Sequence, residues 1–115
     1  MSKDFNSMLQ GNTGEAVALL FFIKHGYEVY LPFNTGSTCD LIVTKYNKTY
    51  RVSVKSTSFK HRGGKRYMLN LSQRTSVNKK FDAQTSDLVF GYVVPEDRFK
   101  ILPSKKIKAK YSISI

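Results

Sequence analysis

The chain has 115 residues and a formal net charge of +11, from 19 Lys and Arg against 8 Asp and Glu. A hydrophobic fraction of 41%, with 3 Pro and 7 Gly, argues against a disordered basic tail and fits one folded domain over 1–115, with residues 1–11 read as a flexible lead-in. One Cys (Cys39) excludes a disulfide framework and a Cys-built zinc site, no apolar run approaches the roughly 20 residues of a membrane span, and the polar start from Met1 to Thr13 does not read as a signal peptide, which points to a cytoplasmic protein.

In chain order, Asn12 or Thr13 is a suitable cap for a helix running to Gly26. The run Ala16-Val17-Ala18-Leu19-Leu20-Phe21-Phe22-Ile23 is apolar on all sides, so that helix is expected to be largely buried. Gly26 suits the left-handed position after a helix. Tyr27 to Leu31 reads as a strand ended by Pro32, and Asn34 to Thr38 as a polar turn. Asp40 to Tyr46 is a second strand, joined tightly through Asn47-Lys48 to a third, Thr49 to Thr57. A basic loop, His61 to Arg66, precedes a strand over Tyr67 to Leu71. The polar stretch from Ser72 to Ser86 gives no firm pattern, a short helix around Asn78 to Ala83 being one option. Asp87 to Val94 is a strong strand, Pro95-Glu96-Asp97 a turn, and Arg98 to Leu102 the last strand. Pro103 is expected to open a short helix over Ser104 to Lys110. The result is an α/β domain, a sheet with helices packed on it and no regular βαβ repeat.

The charge is unevenly placed. Residues 1–50 hold four Lys and four acids and sum to zero, while residues 51–115 hold fifteen Lys and Arg against four acids. Such asymmetry suits a polyanion, and phosphate backbones are the usual partner, because Lys and Arg contacts release condensed counterions. A well-solvated surface is the plainer alternative. An anionic membrane fits less well, since no basic helix carries a bulky apolar face.

Strand alternation puts Arg51, Ser53 and Lys55 on one face and Val52 and Val54 on the other, toward a core. A Lys between valines on an inner strand is unusual, though a Lys also guards edge strands. An acid opening the neighbouring strand, Asp40, would converge on it, and Glu15 would add a second carboxylate. Asp40 alternatively just starts a strand, and Asn12-x-x-Glu15 is close to a capping box. Two carboxylates and a Lys are the minimum for metal-assisted phosphodiester hydrolysis. His25, at a helix C-terminus, reads as structural, and Cys39 as a small buried residue without a triad. The aromatic residues read as core, with Phe59 and Tyr67 beside the basic loop as exceptions that suit base stacking.

These residues resemble the PD-(D/E)XK nuclease superfamily, with its restriction-endonuclease-like mixed sheet flanked by helices. The resemblance rests on Gly14-Glu15, on Gly26-Tyr27-Glu28-Val29 with Pro32, on Cys39 to Val43, on Arg51 to Thr57, on Asp87 to Tyr92 and on Phe99 to Pro103. It is closest to the small branch of Holliday-junction resolvases and intron-encoded or phage homing endonucleases, which suggests a prokaryotic or phage setting. It implies a Mg²⁺-dependent DNA endonuclease, with Mn²⁺ an acceptable substitute. Asp40 would be the central metal ligand, Glu15 the accessory acid, the Val54 carbonyl a further ligand and Lys55 the catalytic lysine. The chain departs from the pattern at Ser53, where the family places Glu, Asp or Gln, so Ser53 would reach a metal only through water. Arg51, Ser56, Thr57, Lys60, Arg62, Lys65, Arg66, Lys79, Lys80, Lys105 and Lys106 are the candidates for contact with duplex or branched DNA. Double-strand cutting would require a homodimer or higher assembly. Two alternatives remain open: a non-cleaving DNA-binding protein on the same fold, and an OB-like barrel, against which the long N-terminal helix speaks.

Overall fold

The structure, a computed structural model, describes residues 3–34, 37–60, 63–72, 81–109 and 111–115, with side chains from residue 8 onward. The helix α1 spans Lys3–Lys24, so it starts nine residues before the expected cap, and Asn12 and Thr13 lie in its interior. The Thr13 hydroxyl donates to the Leu9 carbonyl one turn back, a bond that only a residue inside a helix can make. The capping box at Asn12 and Glu15 is therefore absent, and Glu15 sits in mid-helix. Gly26 closes the helix at φ +83, as expected, and Lys45 Nζ donates to the exposed His25 carbonyl at 2.7 Å. The His25 Nδ1–H donates to the Phe21 carbonyl at 2.8 Å, which gives this histidine a structural task.

Five strands form the main sheet in the order β1 (Glu28–Tyr30), β2 (Leu41–Lys45), β3 (Lys48–Thr57), β5 (Leu88–Val93) and β6 (Arg98–Pro103). All neighbours are antiparallel except the central pair, β3 and β5, which run parallel with Val52 opposite Leu88. The hairpin between β2 and β3 turns at Tyr46 and Asn47, both at positive φ, one residue earlier than the expected Asn47-Lys48. Two successive left-handed residues make the turn whose twist matches that of the strands.

Side-chain alternation divides the sheet into two packed faces. On one, Leu41, Val43, Val52, Phe90 and Tyr92 bury themselves with Ala18 and Phe22 of α1. On the other, Val89 and Val93 pack with Leu69, Leu71 and Ile115. This second cover is a two-stranded sheet, β4 (Met68–Asn70) against β7 (Ser112–Ser114), where a further helix was expected. Only a single 3₁₀ turn, Ser104–Lys106, forms after Pro103, and Ile107 is already extended. In a helix, Lys105 with Lys108 and Lys106 with Lys110 would be like-charged neighbours at i, i+3 and i, i+4, which disfavours continuing it. The strand β7 follows from the alternation Ser112-Ile113-Ser114-Ile115, a period-two pattern in the sequence itself. The short helix considered over Asn78 to Ala83 falls mostly outside the described residues, and Ala83 lies in a turn. Among the described residues, no helix is long and apolar enough to cross a membrane.

Two glycines set how closely the layers approach. A Cβ on Gly91 would lie 2.9 Å from Leu69 Cδ2 and 3.0 Å from Ile115 Cδ1, so this strand residue has to be bare for β4 and β7 to lie on the sheet. A Cβ on Gly14 would lie 2.1 Å from Ser56 Oγ, while one on Gly11 meets nothing within 4 Å. Both helical glycines cost helix propensity, but only one is required by packing. Gly11→Ala is expected to raise stability by up to about 1 kcal/mol, whereas Gly14→Ala lowers it by roughly 1–3 kcal/mol. Urea unfolding of the two variants checks this; equal effects would show that α1 does not rest on β3 as described.

Candidate active site

The residues that suggested chemistry gather at one end of β3. Asp40 stands just before β2, and Leu41 is the first β2 residue paired with β3, opposite Val52. The Asp40 backbone N–H donates to the Val52 carbonyl at 2.8 Å, and its carboxylate accepts the Val54 N–H at 2.7 Å. The side chain thus takes over the ladder position that β2 leaves empty. In a strand the N–H and C=O of one residue point to the same edge. The Val54 carbonyl therefore opens onto the edge beyond β2, beside the Asp40 carboxylate.

Lys55 follows on the other face of β3, half-buried, with Nζ 3.4 Å from the Ser72 carbonyl. Its strand has β2 on one side and β5 on the other, so the inner-strand reading of this lysine is correct. Opposite Lys55 on β5 stands Gly91, which leaves space for the β4 layer above it. Glu15, half-buried, comes to the same end of β3 from the helix side, since the preceding Gly14 lies directly over Val54 and Ser56.

Ser53 is 6% exposed, and its hydroxyl donates to the Thr38 carbonyl at 3.3 Å. It therefore fastens the loop that delivers Asp40. Cys39 is buried with its Sγ 3.8 Å from the Ser37 hydroxyl, part of the same loop. Asp40 and the Val54 carbonyl are hard oxygen donors, suited to a cation such as Mg²⁺ that retains several waters. Among the described residues no three His, Cys, Asp or Glu side chains cluster, so a metal here would be held by few protein groups and completed by water.

The remaining sequence candidates divide into interior and surface groups. Thr57 is buried, its hydroxyl donating to the Met68 carbonyl and accepting the Phe59 N–H, so it ties β3 to β4. Ser56 is held under Gly14. Lys60, Lys65, Arg66, Lys105 and Lys106 are exposed, with Lys60 Nζ 5.3 Å from the Tyr67 ring centroid. Tyr67 itself is buried in the second core, 5% exposed, and so is not available for base stacking. Arg62, Lys79 and Lys80 lie outside the described residues.

Arg51 is engaged by a residue to which the sequence reading gave no such task. Its guanidinium pairs with Asp87 at 3.3 Å, and its backbone N–H donates to the same carboxylate at 2.7 Å. The Asp87 N–H returns a bond to the Arg51 carbonyl at 2.8 Å, closing a clamp where β3 and β5 begin to pair. An acid immediately before a strong apolar strand was the available signal. The Arg51 side-chain bond, then its backbone N–H, hold the Asp87 carboxyl below its usual range. Tyr92, the other end of the same motif, donates to Asp97 at 2.6 Å, which pushes its hydroxyl above the ordinary tyrosine value and holds Asp97 in a left-handed turn.

A model of the PD-(D/E)XK endonuclease family matches residues 5–115, and the chain belongs to that family. Among solved structures, a bacterial homing endonuclease, I-Ssp6803I, superposes with a TM-score of 0.80 at 21% identity, over 94% of this chain and 76% of that one. The likeness gives the α/β fold, a mixed sheet flanked by a helix. No curated protein matches by sequence.

The clamp has a pH signature. A carboxyl lowered by folding contributes stability that is present above its unfolded value, about pH 4, and is lost as the pH falls through the folded value. The Asp87 side chain is 40% exposed, so solvent screens the pair and the gain is small. Asp87→Asn is expected to lower Tm by a few degrees at neutral pH, with the gap to the parent chain closing in acid. Melting curves across pH test this; a gap that persists unchanged in acid would show that the charge of Asp87 contributes nothing.

Proposed function

We propose that this chain is a Mg²⁺-dependent DNA endonuclease that hydrolyses phosphodiester bonds in the manner of homing endonucleases or junction resolvases. The observation that carries the proposal is the Asp40 carboxylate on the Val54 N–H, which gathers a carboxylate, a backbone carbonyl and Lys55 at one strand end. Asp40 and the Val54 carbonyl would hold the cation, with Glu15 as the accessory acid. Bound there, the metal would supply Lewis-acid stabilisation of the scissile phosphate and lower the pKa of a water. Lys55 aligns the attacking water and offsets the negative charge that grows on the phosphate as the new P–O bond forms and the old one breaks. Its place in a strand buried on both faces keeps the ammonium from wandering. Ser53 acts as a positioning residue through Thr38.

Delivery of the substrate falls to the basic half of the chain. Lys60, Lys65, Arg66, Lys105 and Lys106 are exposed, as phosphate contacts need to be. One copy has one site and cuts one strand, so cleavage of both strands calls for a symmetric homo-oligomer. A second reading, DNA binding without cleavage, is favoured by Ser53, whose short neutral side chain is buried and already bonded to Thr38.

Asp40→Ala and Lys55→Ala are each expected to reduce Mg²⁺-dependent cleavage of duplex, nicked or branched DNA by at least about 100-fold. Binding to the same DNA is retained, and chelation of the metal stops the parent chain. Cleavage that survives both substitutions would overturn the site. Binding without cleavage in Mg²⁺ or Mn²⁺, with cleavage appearing in Ser53→Gln, would establish the second reading.

A further inference from the structure

Beside Lys55 lies a cleft of about 520 Å³ between the end of β3, the strand β4 and the residues leading into β7. It is within the roughly 300–1,000 Å³ of small-ligand sites. Its lining is unexpected for this protein. The chain carries +11, yet among the described residues none that lines the cleft is charged; it is walled by Phe59, Tyr111 and Met68 and otherwise by hydroxyls and amides, among them Gln10 and Asn70. Phosphate would be met by cations, and an apolar ligand by an apolar wall. Aromatic faces with neutral hydrogen-bonding groups match a nucleobase, which is flat, uncharged and rimmed by donors and acceptors.

The two aromatic residues are exposed and their backbones are fixed. Phe59 is 68% exposed and Tyr111 44%. The Phe59 carbonyl accepts the Met68 N–H at 2.8 Å, and the Tyr111 carbonyl accepts the Leu71 N–H at 2.7 Å, so β4 holds both residues. Stacking surfaces held in advance lose little entropy on binding. Ser56 also lines the cleft. Ser72 joins the cleft to the reaction centre, because it lines the one and its carbonyl accepts from Lys55 Nζ.

We infer that this cleft receives an unpaired base, stacked on Phe59 and Tyr111, from the DNA strand whose backbone reaches Lys55. The inference rests on the endonuclease reading for the position of that strand, and it names a substrate class: DNA with an extrahelical or single-stranded nucleotide beside the cleavage point.

The test uses the full chain and two short duplexes, one with a single extrahelical 2-aminopurine and one with the same base paired. In chelator, which prevents cutting, the bulged duplex should bind roughly tenfold more tightly, the order of one stacked base, and its emission should change on binding. Phe59→Ala and Tyr111→Ala each remove most of that preference and the emission change, while the matched duplex binds as before. Phe59→Tyr and Tyr111→Phe keep the preference. Both rings are exposed, and unchanged melting curves confirm that the variants fold. Equal affinity for the two duplexes, or alanine variants that weaken both alike, would overturn the inference. Cleavage is scored separately in Mg²⁺. A parent chain that prefers the bulge but never cuts upholds the cleft and overturns the endonuclease reading. One that cuts but ignores the bulge does the reverse.

Discussion

The structure depends on β3 being paired on both edges and covered on both faces. Its edges carry β2 and β5, α1 packs on one face, and β4 and β7 lie over the other. A residue in such a strand has its backbone fixed by the ladder and its side-chain direction fixed by alternation. The candidate site lies where this order first lapses. At Asp40 the strand β2 has not yet begun, and one carboxylate stands in for the missing backbone partner of Val54. The same interaction that completes the sheet therefore exposes a carbonyl and presents a carboxylate. Strand termination and formation of the candidate site are one event in this fold.

Most of the ladder is legible in the sequence, because period-two alternation and β-branched residues mark β2, β3, β5 and β6 directly. The pairing of Asp40 and Lys55 across a hairpin follows from the same pattern. What the sequence conceals is of two kinds. The start of α1 is masked because residues 3–11 are largely polar and contain Gly11, so local propensity points to a later cap. The second sheet is masked because β4 and β7 have three residues each and their paired residues, such as Leu69 and Ile113, lie 44 positions apart along the chain; a pairing of that kind leaves no local trace. Lys55 was recognisable as out of place between valines. The burial of Ser53 was not, since Ser is as common on a solvated face as in a satisfied interior.

The charge distribution takes a clearer form once the layers are known. Cations concentrate in residues 51–115, and the two described ones in the paired part of β3 are both engaged, Arg51 exposed and Lys55 half-buried. Arg51 is held by Asp87, and Lys55 leans on the Ser72 carbonyl. The remaining described candidates, on the segment around Lys60 to Arg66 and on the turn at Lys105 and Lys106, are at the surface. The described residues that line the cleft between them are uncharged. On the proposed function, phosphate contact and base contact would fall on separate surfaces, one setting position and the other selection.

The parallel pairing of β3 with β5 also bears on how the chain folds. The hairpin of β2 and β3 closes over a two-residue turn, so its contacts are local and form on a microsecond scale. The contact of Val52 with Leu88 spans 36 residues, and non-local parallel pairing is intrinsically slow. Between these events the second edge of β3 is open, with Val52 and Val54 beside it, and an open apolar edge is a template for another chain. Arg51 and Lys55 lie on that very edge strand of the half-folded protein. Charged side chains on an open edge strand disfavour such pairing, so the residues of the folded clamp and candidate site would also guard the half-folded hairpin.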